Sequence, residues 1–415
     1  MIKYSKIINF SLISVLLAFT TQSHAGMQFE QSSVFNASRI LTPQLLSGPN
    51  HQVDETVTND GFLNVYTINS RFGSITAVST AKLAKYINEI NAAARMEAYE
   101  NSDGFKKGIK DKAGDVVKGA GALISDPIGT TSKSLSGVGK LFSRAGENMF
   151  GGSRSENEGS RMADLTGFNK IKRDYGYEFG VDVYSHNELL QKPLNKLAKA
   201  DTGGSLLTSG LLMAVPGGAG IAVSVSGGSQ LMNNVFKDTA PADLRKMNRK
   251  KLAAMSVNKH VADIFIANGI YTPREQTLLV AALDSMKNTK NRTAFVKMAT
   301  LAEDSDVAFF RQRQAEMYAA YDKGVEPIIE FVNIGKSAAG KSRDGKIIFD
   351  VPLDHALWTK GIAAVVRIAT QNIALMKGVT GKELWVEGTL STLAKQSMQE
   401  MGWSINEHAG KLLMQ

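Results

Sequence analysis

The amino-acid sequence predicts an α+β protein that is predominantly α-helical. Three observations predict this class. Residues 61–79 alternate between two faces and break at a central "SRFG", a pattern typical of a β-hairpin. Residues 240–323 keep helical spacing and carry helix-capping residues, which indicates a helical array. Residues 327–415 mix short β-rich apolar runs with helices, which favours a small C-terminal α/β subdomain.

The first 25 residues have the three parts of a secretory signal peptide. Lys3 and Lys6 precede a 13-residue apolar run, and Ser23 and Ala25 occupy the small-residue positions that signal peptidase accepts. We therefore expect cleavage between Ala25 and Gly26, and export to the periplasm or beyond it. The alternative is an uncleaved anchor helix, which would need roughly 20 apolar residues to cross a bilayer.

The composition limits the chemistry and the partners. The chain has no cysteine, which excludes a lipid-modified N-terminus, disulfides, thiolate metal sites and a cysteine nucleophile. Its formal net charge is +9, and removal of the two signal-peptide lysines leaves 9 − 2 = +7. In an exported protein this charge fits anionic membrane lipid or an anionic envelope polymer as partner, and not nucleic acid or nucleotide. The alternative is that the charge serves solubility only. Whether the protein has a protein partner stays open.

After the signal peptide, residues 26–103 are expected to contain a polar extended lead, the β-hairpin and one long helix. The helix follows the hairpin directly, and either Ser79 or Thr80 can cap it. Its apolar stripe has the spacing of a helix face and consists of Leu83, Ile87, Ile90 and Ala94.

Residues 104–160 form a glycine-rich, basic, amphipathic segment followed by a polar loop. A basic amphipathic helix is typical of a protein that lies on a membrane surface. The candidate contacts with membrane or other anions are Phe105, Lys106, Lys107, Ile109, Lys110, Lys140, Phe142 and Arg144. The alternatives are ordinary surface helices that pack on the core, or a flexible linker.

Residues 161–326 are predicted to form a helical domain. Within it, the 35 residues of 202–236 carry no charge and are broken by Pro-Gly-Gly at 216–218. We predict a helical hairpin there, either buried in the core or dipping into a membrane. Further along, Thr272, Pro273 and Glu275 predict a helix start with a capping box.

Residues 327–415 are predicted to alternate strands and helices. The strands are "IIEFVNI", "GKIIFDVPL", "KELWVEG" and "WSINE", and the helices are "DHALWTKGIAAVVRIATQNIALMKG" and "TLSTLAKQSMQEMG", the latter starting near Ser391. The last two strands enclose a helix, so we expect them to be parallel.

Residues 335–342 read "GKSAAGKS", which matches the phosphate-loop pattern G-x-x-x-x-G-K-[ST]. A phosphate loop must turn directly into a helix, so that backbone N–H groups and the helix dipole hold phosphate. Here the following residues read "RDGKIIF", a turn and then a β-rich run. We therefore predict a false match. We expect an exposed basic hairpin tip and no nucleotide.

No other catalytic pattern is complete. The histidines after the signal peptide are widely spaced, which gives no support for a metal site, and no feature indicates a cofactor. Two acid–histidine pairs, Asp354–His355 and Glu407–His408, could each act as an acid–base element or be surface residues or helix caps. A Ser/His/Asp set also stays open, because its members meet only in the fold.

The chain resembles a set of uncharacterised bacterial exported proteins over most of the length that follows the signal peptide. The stretches that carry this resemblance are "GFLNVYTINSRFG", "SDPIGTTSKSLSGVGKLFSR", "VDVYSHNELLQ", "YTPREQTLLVAALDSM", "RQRQAEMYAAY" and "ELWVEGTLSTLAKQSMQEMGW". None of them is a catalytic signature. The resemblance implies export and transfers no active-site residue.

Three functional hypotheses follow from the sequence. The favoured one is a non-catalytic envelope protein that associates peripherally with membrane or envelope polyanions. The second is a periplasmic hydrolase acting on an envelope polymer or lipid, which a cleft gathering His355 or His408 with carboxylates would favour. The third is a membrane-inserting toxin or effector that uses residues 202–236.

Overall fold

The computed structural model describes residues 28–110, 155, 157–158, 167–201 and 230–413. The predicted signal peptide, the Ala25–Gly26 cleavage site and residues 202–229 of the uncharged run lie outside this part of the chain. The described residues form an α+β fold that is mostly helical and has a β-rich N-terminal region, which confirms the predicted class.

The N-terminal region is built from short elements. They are β1 (Val34–Asn36), α1 (Ala37–Ile40), α2 (Pro43–Leu46), β2 (Ser47–Gly48), β3 (His51–Val53), β4 (Thr56–Asn59), β5 (Asn64–Ser70) and β6 (Gly73–Val78). The six strands form one antiparallel sheet, in which β5 pairs with β3, β4 and β6. Strands β5 and β6 are the predicted hairpin. The predicted extended lead is wrong for residues 34–59, because side chains such as Val53 and Val57 are buried in this sheet.

Helix α3 (Thr80–Asn101) follows β6 and packs on the buried face of the sheet. Ser79 is its N-cap, with the side-chain oxygen accepting a hydrogen bond from the backbone N–H of Lys82 at 3.2 Å. The predicted stripe is confirmed, since Leu83, Ile87 and Ile90 are fully buried. These side chains meet Tyr66 and Ile68 of β5 in one apolar cluster.

The middle of the chain is helical. Its described helices are α4 (Phe168–Phe179), α5 (Glu188–Ala200), α6 (Gln230–Asp238), α7 (Pro241–Ala254), α8 (Lys259–Ala267), α9 (Pro273–Ser285), α10 (Arg292–Ala299) and α11 (Ser305–Gly324). The predicted capping box is present at α9, where Thr272 and Glu275 each bond the backbone N–H of the other. Helices α4 and α5 pack on the second half of α3 around Tyr99 and Tyr175.

The C-terminal region completes the fold. Its elements are β7 (Ile328–Ile334), β8 (Ser337–Ser342), β9 (Lys346–Val351), β10 (His355–Ala356), α12 (Lys360–Ala374), β11 (Gly381–Val386), β12 (Thr389–Leu390), α13 (Thr392–Glu400), β13 (Ser404–Asn406) and α14 (Ala409–Leu413). A five-stranded sheet runs in the order β13-β11-β9-β8-β7. The prediction that the last two strands are parallel is confirmed by the pairing of β11 with β13.

One predicted helix is shorter than expected. The sequence favoured a helix from Asp354 onwards, whereas α12 begins at Lys360, with Thr359 as its N-cap. Two of the residues before α12, His355 and Ala356, form strand β10 instead, which pairs with β12 in a two-stranded parallel sheet. This short pair joins the N-terminal sheet to the C-terminal region, since the backbone N–H groups of Asp354 and His355 both donate to the carbonyl of Phe62 at 3.2 Å.

Candidate functional site

The histidine cleft, a cavity of about 680 Å³, lies where the N-terminal region meets the C-terminal region. One wall is mostly apolar and comes from β1, α1, α2 and the start of α3, with Phe35, Ile40, Leu45, Ala81 and Ala84. The other wall is polar and comes from the C-terminal region and α11, with Arg313, Asp354, His355, Glu387, Thr389, His408 and Lys411. Both predicted acid–histidine pairs therefore contribute to a single cleft.

His355 is the most constrained of these polar groups. Its Nδ1 lies 2.7 Å from the Thr389 hydroxyl on the paired strand β12, and its ring meets Phe35 edge-on at 5.3 Å. In the part of the chain that the structure describes, Nε2 has no hydrogen-bond partner. Burial lowers the pKa of His355, and the charges of Glu30 and Glu407 only partly offset this effect. The imidazole is therefore neutral at pH 7 and has one ring nitrogen free to accept a proton.

Asp354, the residue before His355, holds the two regions together. Its carboxylate oxygens accept the backbone N–H groups of Asn64 and Thr80, each at 2.9 Å. Thr80 is the first residue of α3, so the carboxylate also lies at the positive end of that helix. Burial raises the pKa of Asp354 to about 6 despite these bonds. Both oxygens of Asp354 are therefore engaged in holding the start of α3 and Asn64 against the C-terminal region.

The backbone beside Asp354 is constrained. Ser79 has φ 93° and ψ 149°, a conformation that residues other than glycine rarely adopt. Its own N–H donates to the carbonyl of Asn64 at 2.8 Å, and the next N–H, of Thr80, donates to Asp354. Strain of this kind costs on the order of 1–3 kcal/mol and persists where surrounding contacts fix the backbone, often at functional sites.

Gly388 brings the second histidine to the cleft. A Cβ at this position would lie 1.9 Å from the carbonyl oxygen of Asp354, so only glycine permits the approach. The carbonyl of Gly388 accepts the N–H of His408 at 2.8 Å, and the neighbouring Thr389 N–H donates to Asp354 at 3.1 Å. His408 itself has φ 59°, in the left-handed region, and is exposed at the rim of the cleft.

The remaining acids near the cleft have partners. Glu387 pairs with the buried guanidinium of Arg313, with Nε 3.2 Å from Oε2 and a second, shorter contact. Glu407 accepts the N–H of Leu390 at 2.8 Å and pairs with Lys395 at 2.7 Å. These acids hold the loops that carry the histidines in place. The residue pattern predicted both acid–histidine pairs but not the parts played by Gly388 and Thr389, for which the sequence carries no local signal.

The phosphate-loop match does not form a phosphate loop. Ser337–Ser342 is strand β8, which pairs with β7 on one side and β9 on the other. The prediction that no helix follows Ser342 is confirmed, since Lys346 begins a strand. The prediction of an exposed hairpin tip is wrong for residues 337–342, because Ser342 is fully buried and its hydroxyl accepts the N–H of Lys346. Within the motif, only Gly335 and Lys336, the turn between β7 and β8, are exposed. The second glycine of the motif, Gly340, packs closely on Ile328 and Tyr318.

The predicted anion-contact residues are only partly described. Lys106, Lys107 and Lys110 are exposed. Phe105 is buried instead, with its ring 5.1 Å from Tyr99, and Ile109 packs on the same cluster. A contact between Phe105 and a membrane would require this side chain to leave the core. Lys140, Phe142 and Arg144 lie outside the described residues.

Two general features concern metals and membranes. Among the described residues, no group of three or more His, Asp or Glu side chains is arranged to hold a metal ion. None of the described helices combines the length and apolar character needed to span a bilayer.

Only the end of the uncharged run of residues 202–236 is described. Residues 230–236 belong to α6, where Phe236 packs with Leu244 and Leu278.

Comparison with known proteins gives no match for this chain among protein-family models, curated proteins or solved structures.

Proposed function

We propose that the protein is an exported hydrolase that acts on an amphipathic acyl or ester substrate of the cell envelope, a lipid or an acylated polymer. The observation that carries this proposal is the position of His355, a neutral imidazole with a free Nε2 in a cleft of about 680 Å³. A cleft of this size suits a small molecule or one end of a larger one.

His355 has the properties of a general base. A base is most effective when it is unprotonated at the working pH, with a pKa not far from that pH, and when its orientation is fixed. Burial supplies the first property, and the contact between Nδ1 and the Thr389 hydroxyl supplies the second. In the proposed step, Nε2 takes a proton from water while the water oxygen forms a bond to the acyl carbon. The leaving oxygen or nitrogen then departs with a proton returned by the imidazolium, so the net reaction consumes one water.

The two walls of the cleft favour an amphipathic substrate. Phe35, Ile40 and Leu45 offer an apolar surface to an acyl chain, and Ile40 is 42% exposed, which extends that surface to the outside. Lys411 and His408 lie exposed at the polar rim, where they suit an anionic head group. Envelope lipids and acylated envelope polymers combine these two properties.

Hydrolysis of a series of p-nitrophenyl esters, from acetate to decanoate, tests this proposal. We expect turnover by the wild type to increase with chain length up to the capacity of the cleft. Ala81→Phe, which narrows the apolar wall at a half-buried position, should shift the optimum to shorter chains. No turnover of any ester above the rate in buffer, or an unchanged chain-length optimum in Ala81→Phe, would count against the proposal.

We propose a second, independent function for the exposed lysines of the helical residues 103–110, which follow α3, namely peripheral association with anionic membrane or envelope polymer. Lys106, Lys107 and Lys110 support it, because all three are exposed and have no ion-pair partner among the described residues. Attraction of such a cluster to anionic lipid falls with salt.

Sedimentation with liposomes that contain anionic lipid tests this association. The triple change of Lys106, Lys107 and Lys110 to Gln should abolish co-sedimentation at low salt. The matched control removes the same charge at Lys290, Lys297 and Lys323, which are also exposed but lie elsewhere in the fold. Equal binding by both triple variants would contradict a role for this cluster.

A further inference from the structure

A second cavity, the arginine cleft, lies among the helices on another part of the molecule. It has a volume of about 220 Å³ and shares no lining residue with the histidine cleft. Helices α3, α4, α6, α9 and α11 contribute to its lining, which includes Arg173 of α4 and Arg274 of α9.

Helix α6 fixes both guanidinium groups through uncharged contacts. Arg173 donates from Nε to the carbonyl of Lys237 at 3.1 Å. Arg274 donates from Nη2 to the Asn233 side-chain oxygen at 3.1 Å and lies over the ring of Phe236, 4.5 Å from its centroid. Since a guanidinium has five N–H donors, each arginine keeps donors for a further partner.

Neither arginine forms a direct ion pair, although the charges of Asp182, Glu316 and Glu89 act on Arg274 from beyond ion-pair distance. Within the described part of the chain, no carboxylate forms an ion pair with Arg173 or Arg274. Arg173 is only 8% exposed, and its Nη1 is buried without a hydrogen-bond partner. A buried charge in this state is destabilising unless another group compensates it.

The carboxylates that line the same cleft are already engaged. Glu89 pairs with Lys85 at 2.6 Å and accepts hydrogen bonds from Ser185 and Asn187. Glu275 accepts the backbone N–H of Thr272 at 2.9 Å within the capping box of α9. Asp182, the third carboxylate of the lining, accepts the backbone N–H of Tyr184 at 3.0 Å and the Thr272 hydroxyl at 3.4 Å. The three acids are therefore bonded to other groups, and none of them occupies the free donors of the two arginines.

We propose that the arginine cleft binds a small oxyanion, either a carboxylate or a phosphate group, between Arg173 and Arg274. The planar fork of a guanidinium matches both anions and binds them through paired, charge-assisted hydrogen bonds. The volume of about 220 Å³ admits a free small anion or the anionic end of a larger molecule, and not a polymer chain. Burial lowers the pKa of Arg274, and a bound anion would relieve that effect.

Isothermal titration of the full exported chain with inorganic phosphate, and separately with acetate, tests this site in low-salt buffer. We expect saturable binding of at least one of the two anions to the wild type. Arg274→Gln should weaken that binding at least tenfold, whereas Arg71→Gln should not change it, because Arg71 is exposed and pairs with Glu97. Tighter binding of phosphate or of acetate identifies which anion the site prefers, and either result supports the proposal.

Two results would overturn the proposal. One is no saturable heat for either anion with the wild type, and the other is equal affinity in Arg274→Gln and Arg71→Gln. Thermal unfolding of each variant provides a second measurement that does not depend on titration heats. Phosphate or acetate at millimolar concentration should raise the melting temperature of the wild type and of Arg71→Gln but not that of Arg274→Gln. The same rise in all three would contradict the site.

Discussion

The Nδ1 atom of His355 lies 2.7 Å from the hydroxyl oxygen of Thr389, its direct neighbour across a two-stranded parallel sheet. This contact fixes the ring and leaves Nε2 for the cleft. The contact depends on strand pairing, because both residues are held by backbone bonds between β10 and β12. The orientation of the proposed base is therefore a property of the fold.

Thr389→Val should reduce the rate of ester hydrolysis by up to about 100-fold, because a small displacement of the imidazole moves Nε2 away from the attacking water. The loss is expected in kcat, with KM nearly unchanged, since Thr389 acts on the ring rather than on the substrate. Thr389→Ser keeps the hydroxyl and should restore most of the rate. Equal activity in Thr389→Val and Thr389→Ser would show that the hydroxyl does not orient the imidazole.

The pH dependence of hydrolysis should follow the protonation of His355. Burial lowers the pKa of His355 below its ordinary value of 6.5, so the neutral, active form persists below that pH. We expect kcat/KM to be constant at neutral pH and to fall on the acid side, with its midpoint below 6.5. A midpoint above 6.5 in the pH–rate profile would contradict a buried imidazole as the base.

Gly388→Ala should destabilise the protein by about 1–3 kcal/mol, the usual cost of overpacking. Its new methyl group would meet the Asp354 carbonyl oxygen at 1.9 Å, so the backbone that carries Thr389 and His408 must shift. Gly324→Ala is the matched control, because an added Cβ there meets no atom within 4 Å. It should leave stability unchanged or raise it by about 0.4–1 kcal/mol. Chemical denaturation of both variants measures this, and equal stabilities would contradict the close approach at Gly388.

Much of the fold could be predicted because local signals agreed with tertiary packing. The capping box at Thr272 and Glu275, and the apolar stripe of α3, each have a sequence signature that needs no long-range information. The short strands over residues 34–59 have no such signature, since each has only two to four residues, too few to show a clear alternation. Strand β8 was missed for a different reason: the small side chains of "SAAGKS" suit a central strand only because Tyr318 and Ile328 pack closely over Gly340.

The site was predictable only in part. The acid–histidine pairs stand out as residue types, but their meeting depends on Gly388, which approaches the backbone of Asp354. It also depends on the capping of α3 by a carboxylate 274 residues away in sequence. Neither relationship leaves a local pattern. The arginine cleft was missed because its two arginines lie on helices α4 and α9, about 100 residues apart.

Asp350→Asn should stabilise the protein at neutral pH, because a carboxamide has no charge to bury, whereas the carboxyl must either stay protonated or ionise without a partner in the folded protein. Asp350 is fully buried, both side-chain oxygens lack hydrogen-bond partners, and burial raises its pKa well above the ordinary value of 3.8. As the pH rises above 3.8, the Asp350 carboxyl ionises in the unfolded chain but stays protonated in the folded protein. The free energy of unfolding of the wild type therefore falls as the pH rises. The advantage of Asp350→Asn should therefore grow from pH 4 to pH 7.5. A pH-independent difference in the free energy of unfolding would contradict this explanation.

The most direct test of the central claim is kcat/KM for the best ester substrate in His355→Gln, compared with His260→Gln. His260 is exposed on α8 and does not line the histidine cleft, so its change controls for loss of a histidine in general. We predict that His355→Gln lowers kcat/KM by about 10²–10⁴-fold, the usual contribution of a general base, while His260→Gln behaves as wild type. A folded His355→Gln protein that hydrolyses the ester at the wild-type rate would contradict a catalytic role for the histidine cleft.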